Sequence, residues 1–264
     1  YLGGVGVAIG IAAGVVALWF TNAAMPGVEI LLVATMFLAL GVADDLLAFK
    51  PAPKFALQAV IAALAVALGI KAELTGAAML DAAISWFWIT TLVNAFNFTD
   101  VCDGLLGSLS VVMFSALAFL APSDAGLSFI VAAACIGFLA FNRPPASIFL
   151  GDAGSHLLGF LAAAITLTLV GRATAPWSFA LAAAVLVVAV PLFELAFLTA
   201  VRVKKGLAWW KGSPDHFSLR LQAAGFTRAR TDLIACAFAA AWAGAGVFLL
   251  GASPVSAIVA VGGV

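Results

Sequence analysis

A polar stripe of four oxygen-bearing side chains interrupts an otherwise apolar region of the sequence. Its members recur at every third position and are Asn94, Asn97, Asp100 and Asp103. Residues three apart on a helix share one face, so all four can line a single stripe. Amide and carboxylate oxygens are hard ligands of the kind that Mg²⁺ takes. A capping turn rich in Asn and Asp is the alternative, but a turn does not require four such groups in phase.

A second cluster begins with two adjacent acids, Asp44 and Asp45, at the end of an apolar stretch. Lys54 follows them in a short segment that contains two prolines. Adjacent acids repel each other unless a cation lies nearby, which is typical of a site for a charged ligand. A solvated loop with local pairing to lysine explains the pattern equally well, so this cluster alone leaves both interpretations open.

A third cluster centres on Asp152, within the sequence Gly151-Asp152-Ala153-Gly154. One local role for Asp152 is to cap the helix that follows, with the glycines forming a tight turn. Capping does not explain why glycines flank the acid, where they let a phosphate or another backbone approach closely. We therefore favour a functional role for Asp152.

A fourth cluster lies in a long basic segment at about 200–231. His216 and Arg220 are four residues apart and would share a face of a helix. Together with the lysines at 204, 205 and 211 they could bind phosphate groups. Contact with anionic lipid headgroups is the better interpretation for the lysines, whereas we favour substrate contact for His216 and Arg220.

Composition indicates an integral membrane protein. Of the 264 residues, 65% are apolar and only 9% are charged. A soluble domain carries about 25% charged residues. The net charge is zero, so no overall field attracts nucleic acid. The three cysteines lack metal-binding spacing, and we interpret them as small apolar residues.

Apolar stretches along almost the whole chain predict an all-α, polytopic membrane helix bundle with about ten spans. We place the spans at 3–20, 28–43, 55–70, 82–93, 105–121, 127–141, 156–171, 177–199, 232–250 and 254–264. Residues 1–264 are predicted to form a single integral membrane domain with a basic loop at about 200–231. Because the chain begins without methionine and ends within an apolar run, we expect missing segments at both ends.

The distribution of charges predicts the orientation in the membrane. The alternating loops place ten of the twelve basic residues on one side, and only Lys71 and Arg172 on the other. The positive-inside rule makes the first side cytoplasmic. In hydrocarbon, each acid would cost roughly 2.5–3.5 kcal/mol on the insertion scale, so we expect the acids to converge on a wet pocket at the inner face. The acids on that side are Asp44, Asp45, Asp100, Asp103, Asp152 and Asp215.

In this order, the four clusters resemble the motifs of the polyprenyl-phosphate N-acetylhexosamine-1-phosphate transferase superfamily, to which the MurNAc-pentapeptide translocase is related. The family pattern Asp-Asp…Pro…Lys is similar to Asp44, Asp45, Pro53 and Lys54. The pattern Asn-x-x-Asn-x-x-Asp-Gly-x-Asp-Gly-Leu is similar to residues 94–105, and Asn-x-x-Pro-Ala-x-Ile-Phe-x-Gly-Asp-x-Gly-Ser to residues 142–155.

Three positions depart from the family pattern. Val101 stands where the family usually has Gly, and Glu194 replaces a frequent Asp. The histidine-rich loop motif is reduced to residues 215–221, which retain His216. The triple-histidine motif of the MurNAc-pentapeptide translocase is missing, which argues against that substrate.

The resemblance implies that a sugar-1-phosphate, such as an N-acetylhexosamine-1-phosphate, is transferred from a UDP-sugar to undecaprenyl phosphate, with release of UMP. This step would initiate the synthesis of a cell-envelope polysaccharide, and the sugar itself is not identified. The implied cofactor is Mg²⁺, with Mn²⁺ as the alternative, bound by Asn97 and Asp152. The implied catalytic residues are Asp44, Asp45 and Asp152, and the implied substrate-binding residues are Lys54, Asn94, Asp100, Asp103, His216 and Arg220.

The family's candidate base is Asp44, but proton removal is not its most reasonable role. A phosphate monoester has a second pKa near ~6, so the acceptor is already mostly dianionic at neutral pH. We expect Asp44 to orient the acceptor, directly or through Lys54. A covalent phospho-aspartate route stays open.

The implied partners are the UDP-sugar, undecaprenyl phosphate and the lipid bilayer, with no nucleic acid, and a homodimer is left open. The implied location is the bacterial inner membrane, with several spans and the active site facing the cytoplasm. Residues 2–5 resemble the family segment after the first helix, which implies that one span is absent here and that the full protein has eleven. An ion-coupled transporter with an inner-face acidic site is the alternative, although transporter ions usually lie near the midplane on broken helices.

Overall fold

The computed structural model describes residues 2–21, 23–208, 210 and 212–251. Within these ranges the chain forms α1 (Gly3–Phe20), α2 (Val28–Leu47), α3 (Pro51–Ala67), α4 (Ala78–Thr99), α5 (Leu105–Leu120), α6 (Ala125–Asn142), α7 (Gly151–Arg172), α8 (Trp177–Val187), α9 (Ala189–Lys204), α10 (Phe217–Ala223) and α11 (Arg228–Leu249). A 3₁₀ turn at Pro122–Asp124 precedes α6. The all-α fold class predicted from the apolar stretches is confirmed.

Helix α7 forms the centre of the bundle. In its most apolar stretch 94% of the residues are buried, compared with 22–44% in the other single-helix candidate spans. Helices α1, α2, α4 and α8 pack against it. On one side, Phe37 of α2 stacks on Phe160 of α7 with ring centroids 5.2 Å apart. The N-terminus of α7, which carries Asp152, therefore lies where several helices meet.

The predicted span at 177–199 is a broken helix. Helices α8 and α9 meet at Val188 with a bend of 74°. Pro191 lies in the first turn of α9, where it lacks a backbone N–H and its ring would clash with the carbonyl four residues earlier. That carbonyl belongs to Val187, the last residue of α8. The proline thus accounts for the position of the break.

The expectation of about ten spans is wrong for the described residues. Six helices there are long and apolar enough to cross a membrane, or seven if the bent pair is one span. Helices α3 and α5 contain 17 and 16 residues. At 1.5 Å per residue they extend about 24–26 Å, which is less than the ~30 Å hydrocarbon core. The last predicted span, 254–264, lies outside the described residues. Hydropathy alone does not distinguish a full span from a shorter helix buried in protein.

Charged residues gather at the two ends of the bundle. The C-termini of α2, α4 and α6 meet the N-termini of α3, α5 and α7 at one end, which we call the site end. At the opposite end, which we call the far end, a cleft is lined by residues that include Glu29, Lys71, Glu73, Asp124 and Arg172. The antiparallel arrangement of successive helices thus brings distant parts of the sequence together at the site end.

Candidate active site

Lys54 joins acids from two separate sequence clusters. Its ammonium Nζ lies 2.8 Å from Oδ2 of Asp44 and 2.5 Å from Oδ2 of Asp152. The other carboxylate oxygen of Asp152 accepts a 2.5 Å hydrogen bond from the side-chain amide of Asn97. Asp44 is only 8% exposed, and its Oδ1 accepts a 2.7 Å bond from the backbone N–H of Phe49. We call Asp44, Lys54, Asn97 and Asp152 the central cluster.

Asp45 has a different environment from its neighbour Asp44. Its two carboxylate oxygens accept backbone hydrogen bonds from Asp152 at 2.9 Å and from Ala153 at 3.1 Å. These are N–H groups of the first turn of α7, so Asp45 caps that helix. The interpretation of Asp152 as the cap of its own helix is therefore wrong. The predicted catalytic role of Asp45 stays a prediction, and the contacts place its carboxylate behind the backbone of Asp152.

Gly151→Ala is expected to lower activity by disturbing the start of α7. Gly151 has φ +71°, and a Cβ there would lie 2.7 Å from Oδ2 of Asp45. The left-handed backbone alone costs a non-glycine residue about 1–2 kcal/mol. Gly76→Ala is the matched control, because Gly76 has φ +75° at the far end with no atom within 4 Å of its Cβ position. Both variants should lose thermal stability, and only Gly151→Ala should lose most of its turnover. Equal turnover in the two variants would contradict this expectation.

Asp100 is the third acid near Asp152. Partial burial, followed by the charges of Asp152 and Asp45, raises the pKa of Asp100 to about 7, against a small opposing contribution from a hydrogen bond of the Gly151 backbone. Two like charges that disfavour ionisation of a third indicate a region that would attract a cation. Asp100 thus lies beside the central cluster, as the sequence predicts for a site residue.

The raised pKa of Asp100 predicts a pH-dependent stability when no divalent cation is present. Between about pH 4 and pH 7 the folded protein holds a proton on Asp100 that the unfolded chain has released. The stabilisation is therefore complete below about pH 4 and is lost as the pH rises through about 7. Asp100→Asn should remove this dependence. In thermal unfolding with EDTA, we expect the stability of Asp100→Asn relative to the parent to be greater at about pH 8 than at about pH 5. The same difference in stability between Asp100→Asn and the parent at the two pH values would argue against the raised pKa.

The predicted stripe of four polar residues is only partly helical. Helix α4 ends at Thr99, so Asn94 and Asn97 lie on it, whereas Asp100 and Asp103 lie in the turn that follows. The expectation of one continuous helical stripe is therefore wrong. The reason is that the chain must reverse before α5, and Gly104, with φ +81°, makes that reversal.

Asp103 and Asn142 join this turn to neighbouring segments. Oδ2 of Asp103 accepts hydrogen bonds from Arg228 at 2.6 Å and from the backbone of Ala146 at 3.2 Å. Asn142 accepts a 2.9 Å bond from the backbone of Gly104 and donates one of 2.8 Å to the carbonyl of Ile148. These contacts hold the rim of the site, and the predicted substrate contact of Asp103 stays a prediction.

The acids line a cleft of about 590 Å³ at the site end. Its walls are formed by residues 44, 45, 48, 49, 100–103, 142 and 149–152. Val101, where the resemblance leads one to expect glycine, lines this cleft. Among the described non-glycine residues only Ala48 has a positive φ, so the backbone at Val101 does not require glycine.

The basic loop forms a second cluster that is separate from the lining of this cleft. His216 Nδ1 lies 2.6 Å from Oε1 of Glu194, a fully buried residue of α9. Arg220 bonds to Asp215 at 3.0 Å, and Lys205 bonds to the same carboxylate at 2.7 and 2.8 Å. The hydrogen bond from Lys205, supported by Arg220, lowers the pKa of Asp215. His216 precedes α10 whereas Arg220 lies within it, so the predicted shared helical face is wrong. The two side chains contact different acids, and their substrate contact stays a prediction.

Helix α10 packs this second cluster against the turn after α4. Cys102 lies 3.3 Å from the hydroxyl of Ser218 and 3.1 Å from the side-chain amide of Gln222. Nearby, the guanidinium of Arg202 lies 4.9 Å from the ring centre of Phe98. The two clusters are therefore neighbours at one end of the bundle.

Three residues of the site end were not identified from the sequence. Gln58 and His156 are both fully buried and hydrogen-bonded to each other, and Arg228 pairs with Asp103. His156 lies inside α7, about one turn after Asp152. Gln58 is four residues after Lys54 on α3, which is the only signal in the sequence that could have indicated it.

The donor groups of the central cluster suit Mg²⁺ in combination with a phosphorylated substrate. In the part of the chain that the structure describes, no three His, Cys, Asp or Glu side chains are grouped to hold a metal by themselves. Mg²⁺ typically takes one or two carboxylates and completes its coordination with phosphates and waters. Asp152 and Asn97 are in direct contact and supply oxygens of that type. They fit the ion when a diphosphate provides the remaining ligands.

The fold and site define an all-α membrane protein with an acid-lined cleft at one end. The family model for glycosyl transferase family 4 matches residues 28–170, more than half of the chain, so the chain belongs to this family. It is 29% identical over 248 residues to a probable undecaprenyl-phosphate N-acetylglucosaminyl 1-phosphate transferase of Bacillus subtilis, covering 88% of this chain and 68% of the relative. The match favours the transferase over the ion-coupled transporter.

Two other relatives have similar names. The undecaprenyl-phosphate alpha-N-acetylglucosaminyl 1-phosphate transferase of Escherichia coli K12 is 31% identical over 173 residues, which is 62% of this chain and 47% of the relative. The decaprenyl-phosphate N-acetylglucosaminephosphotransferase of Mycobacterium tuberculosis H37Rv is 29% identical over 243 residues, which is 80% of this chain and 60% of the relative. The chain thus spans about half to two thirds of the length of these relatives.

Proposed function

We propose that the protein transfers a sugar-1-phosphate from a UDP-sugar to undecaprenyl phosphate and releases UMP. The observation that carries the proposal is the central cluster, where one lysine bridges two acids from different helices beside an amide. This cluster lies at the membrane-helix ends, where a water-soluble nucleotide sugar and a lipid phosphate can meet. The names of the relatives support N-acetylglucosamine as the first sugar to test.

In the proposed reaction a phosphate oxygen of the lipid attacks the phosphorus that carries the sugar. The bond from that phosphorus to UMP breaks, and the new diphosphate links the lipid to the sugar. Both substrates are anionic, so their approach requires positive charge. Lys54 would orient the acceptor phosphate, and Asp44 would hold the lysine in place through its 2.8 Å contact.

Asp152 and Asn97 would hold Mg²⁺ at this cluster. When bound, the ion would offset the charge of the diphosphate and stabilise the leaving UMP. Asp45 would fix the backbone of Asp152 from behind, through its bonds to the first turn of α7. A bound cation would favour the ionised form of Asp100, which would then add negative charge on the same side of the cleft.

We also propose that the site end faces the cytoplasm of a bacterial inner membrane. Nine basic residues of the described ranges lie at helix ends and loops on that side, and Lys71 and Arg172 lie at the far end. The tenth predicted residue, Lys211, lies outside the described residues. The positive-inside rule then orients the cleft toward UDP-sugars made in the cytoplasm. A homodimer stays a prediction.

The direct test measures UMP release by the purified full-length protein in detergent with undecaprenyl phosphate. UDP-N-acetylglucosamine, other UDP-N-acetylhexosamines and UDP-glucose would be compared, each with Mg²⁺, with Mn²⁺ and with EDTA. We expect UMP release and a lipid-linked sugar with at least one N-acetylhexosamine donor, and loss of both in EDTA. Failure of every UDP-N-acetylhexosamine to release UMP would contradict the proposed function, and full activity in EDTA would contradict the role of the metal.

A further inference from the structure

A second polar layer lies one helical turn deeper than the central cluster. Each of the three helices that carry Lys54, Asn97 and Asp152 contributes one residue to it. On α3 the spacing is four residues, on α4 it is three, and on α7 it is four, so each residue lies on the same helix face as its partner in the central cluster. The members of this layer are Gln58, Asn94 and His156.

Hydrogen bonds join the three residues directly across the helices. The side-chain amide of Asn94 donates to Oε1 of Gln58 at 3.0 Å, and Nε2 of Gln58 lies 3.0 Å from Nε2 of His156. Gln58 and His156 are both fully buried. A fully buried polar side chain depends on its hydrogen-bond partners, so the hydrogen bonds of this layer fix α3 relative to α4 and to α7.

The direction of these hydrogen bonds follows from a backbone carbonyl. Nδ2 of Asn94 also lies 2.8 Å from the carbonyl oxygen of Thr90, so that atom must be the nitrogen. The group of Gln58 that faces Asn94 must then be its oxygen, which directs the Gln58 amide N–H₂ toward His156. Nε2 of His156 therefore accepts, and the proton of the neutral ring lies on Nδ1.

His156 is an expensive choice for packing alone. Its Nδ1 is buried and has no hydrogen-bond partner in the described part of the chain. A leucine or methionine would fill the interior of α7 without leaving a buried N–H unpaired. A buried polar residue that lowers stability and lies directly behind the central cluster is expected where its role is to position other side chains.

We propose that His156 is a positioning residue that acts through Gln58. By accepting the hydrogen bond of Gln58, it sets the register of α3 and α4 against α7, and so the placement of Lys54 and Asn97 around Asp152. This inference rests on the proposed function, because the placement matters there for Mg²⁺ and the acceptor phosphate. It adds a residue whose side chain does not line the cleft.

The decisive comparison is between His156→Leu and His156→Gln. Leucine removes the acceptor, whereas the glutamine side chain can return an oxygen near the former position of Nε2. Loss of a partner behind a metal ligand typically costs about 10–100-fold in metal affinity or activity. We expect His156→Leu to lower kcat by about 10–100-fold and to raise the Mg²⁺ concentration for half-maximal rate by a similar factor, and His156→Gln to restore both largely.

Thr166→Val is the matched structural control on the same helix. Thr166 is fully buried and accepts a 2.8 Å hydrogen bond from the indole of Trp88. It lies 14 residues beyond Asp152, or about 21 Å along the helix axis. This variant should lose thermal stability while keeping the kcat and the Mg²⁺ dependence of the parent.

A readout without turnover separates this inference from the proposed reaction. Thermal unfolding of each protein without substrate, at increasing Mg²⁺, reports the apparent metal affinity through ligand stabilisation. We expect a weaker Mg²⁺ effect in His156→Leu than in the parent and in Thr166→Val. An inactive parent would overturn the proposed function and leave the thermal test of His156 valid.

Equal Mg²⁺ responses in His156→Leu and Thr166→Val would overturn the positioning role and leave only packing. If His156→Leu does not fold, Gln58→Met removes the same hydrogen bond from the other side and should give the same weakened Mg²⁺ response. A Gln58→Met variant with the parental Mg²⁺ response would also overturn the inference.

Discussion

Asp152→Asn is expected to abolish most of the transferase turnover, with a loss of about 10²–10³-fold, the range for removing one preorganised electrostatic group. The carboxylate meets a donor at each oxygen, because Lys54 lies 2.5 Å from Oδ2 and the Asn97 amide lies 2.5 Å from Oδ1. An asparagine side chain offers one acceptor and one donor. Whichever way it is turned, one of the two neighbours then faces another donor, and the negative charge is lost as well.

Asp81→Asn is the control for this acid-to-amide change. Asp81 lies at the far end and is buried there, where its Oδ1 accepts two hydrogen bonds from Thr75 and its carboxylate also meets the backbone of Leu74 and Gly76. An amide oxygen can replace the acceptor for Thr75, and loss of the other contacts would lower stability without changing the site end. UMP release at saturating and limiting Mg²⁺ should therefore be near the parental level for Asp81→Asn. Retention of more than about a tenth of the turnover in Asp152→Asn would contradict the assigned role of Asp152.

Asp44→Asn is expected to lose about 10²-fold in turnover across the whole range from about pH 6 to about pH 9. The acceptor phosphate is mostly dianionic above its second pKa of about 6, so little proton removal is needed. The contacts of Asp44 are those of a positioning group, since its oxygens bond Lys54 and the backbone of Phe49. The asparagine amide would direct its own N–H₂ at one of these two donors and would remove the negative charge that holds Lys54, at every pH.

The pH profile of UMP release distinguishes this role from general-base catalysis. A base would be needed only where the acceptor is protonated, so Asp44→Asn would then approach the parental rate above about pH 7 and lose rate only below it. We expect instead a parallel profile that is lower at all pH values. Recovery at high pH would overturn the positioning role. The pH profile of UMP release by Asp81→Asn should coincide with that of the parent.

Several features of the fold and site could be read from local sequence. The apolar stretches predicted helices at 3–20 and 127–141 that match α1 and α6 closely, because a helix in a membrane requires a continuous apolar segment. Asp44 and Asp152 could be identified for a related reason, because charged side chains beside such segments cost free energy and are usually functional. The order of the motifs also indicated the transferase family before any contact was known.

The number of spans and the break at Val188 were not predictable in the same way. Hydropathy reports only the composition of a segment. Helices α3 and α5 are apolar but shorter than the six single-helix candidate spans, and the bundle buries most of α5 but only four residues of α3. The bend between α8 and α9 depends on where the helices around Pro191 leave room for it. These are properties of packing rather than of composition.

By itself, the sequence determined the all-α membrane class, the family and most members of the site, because each depends on residue types within one segment. Only the tertiary structure decided what each acid contacts. Asp44 and Asp45 are adjacent, yet one contacts Lys54 and the other caps α7. Gln58 and His156 meet although 98 residues separate them. Such contacts depend on the rotation and register of whole helices, which local patterns of hydropathy and charge do not specify.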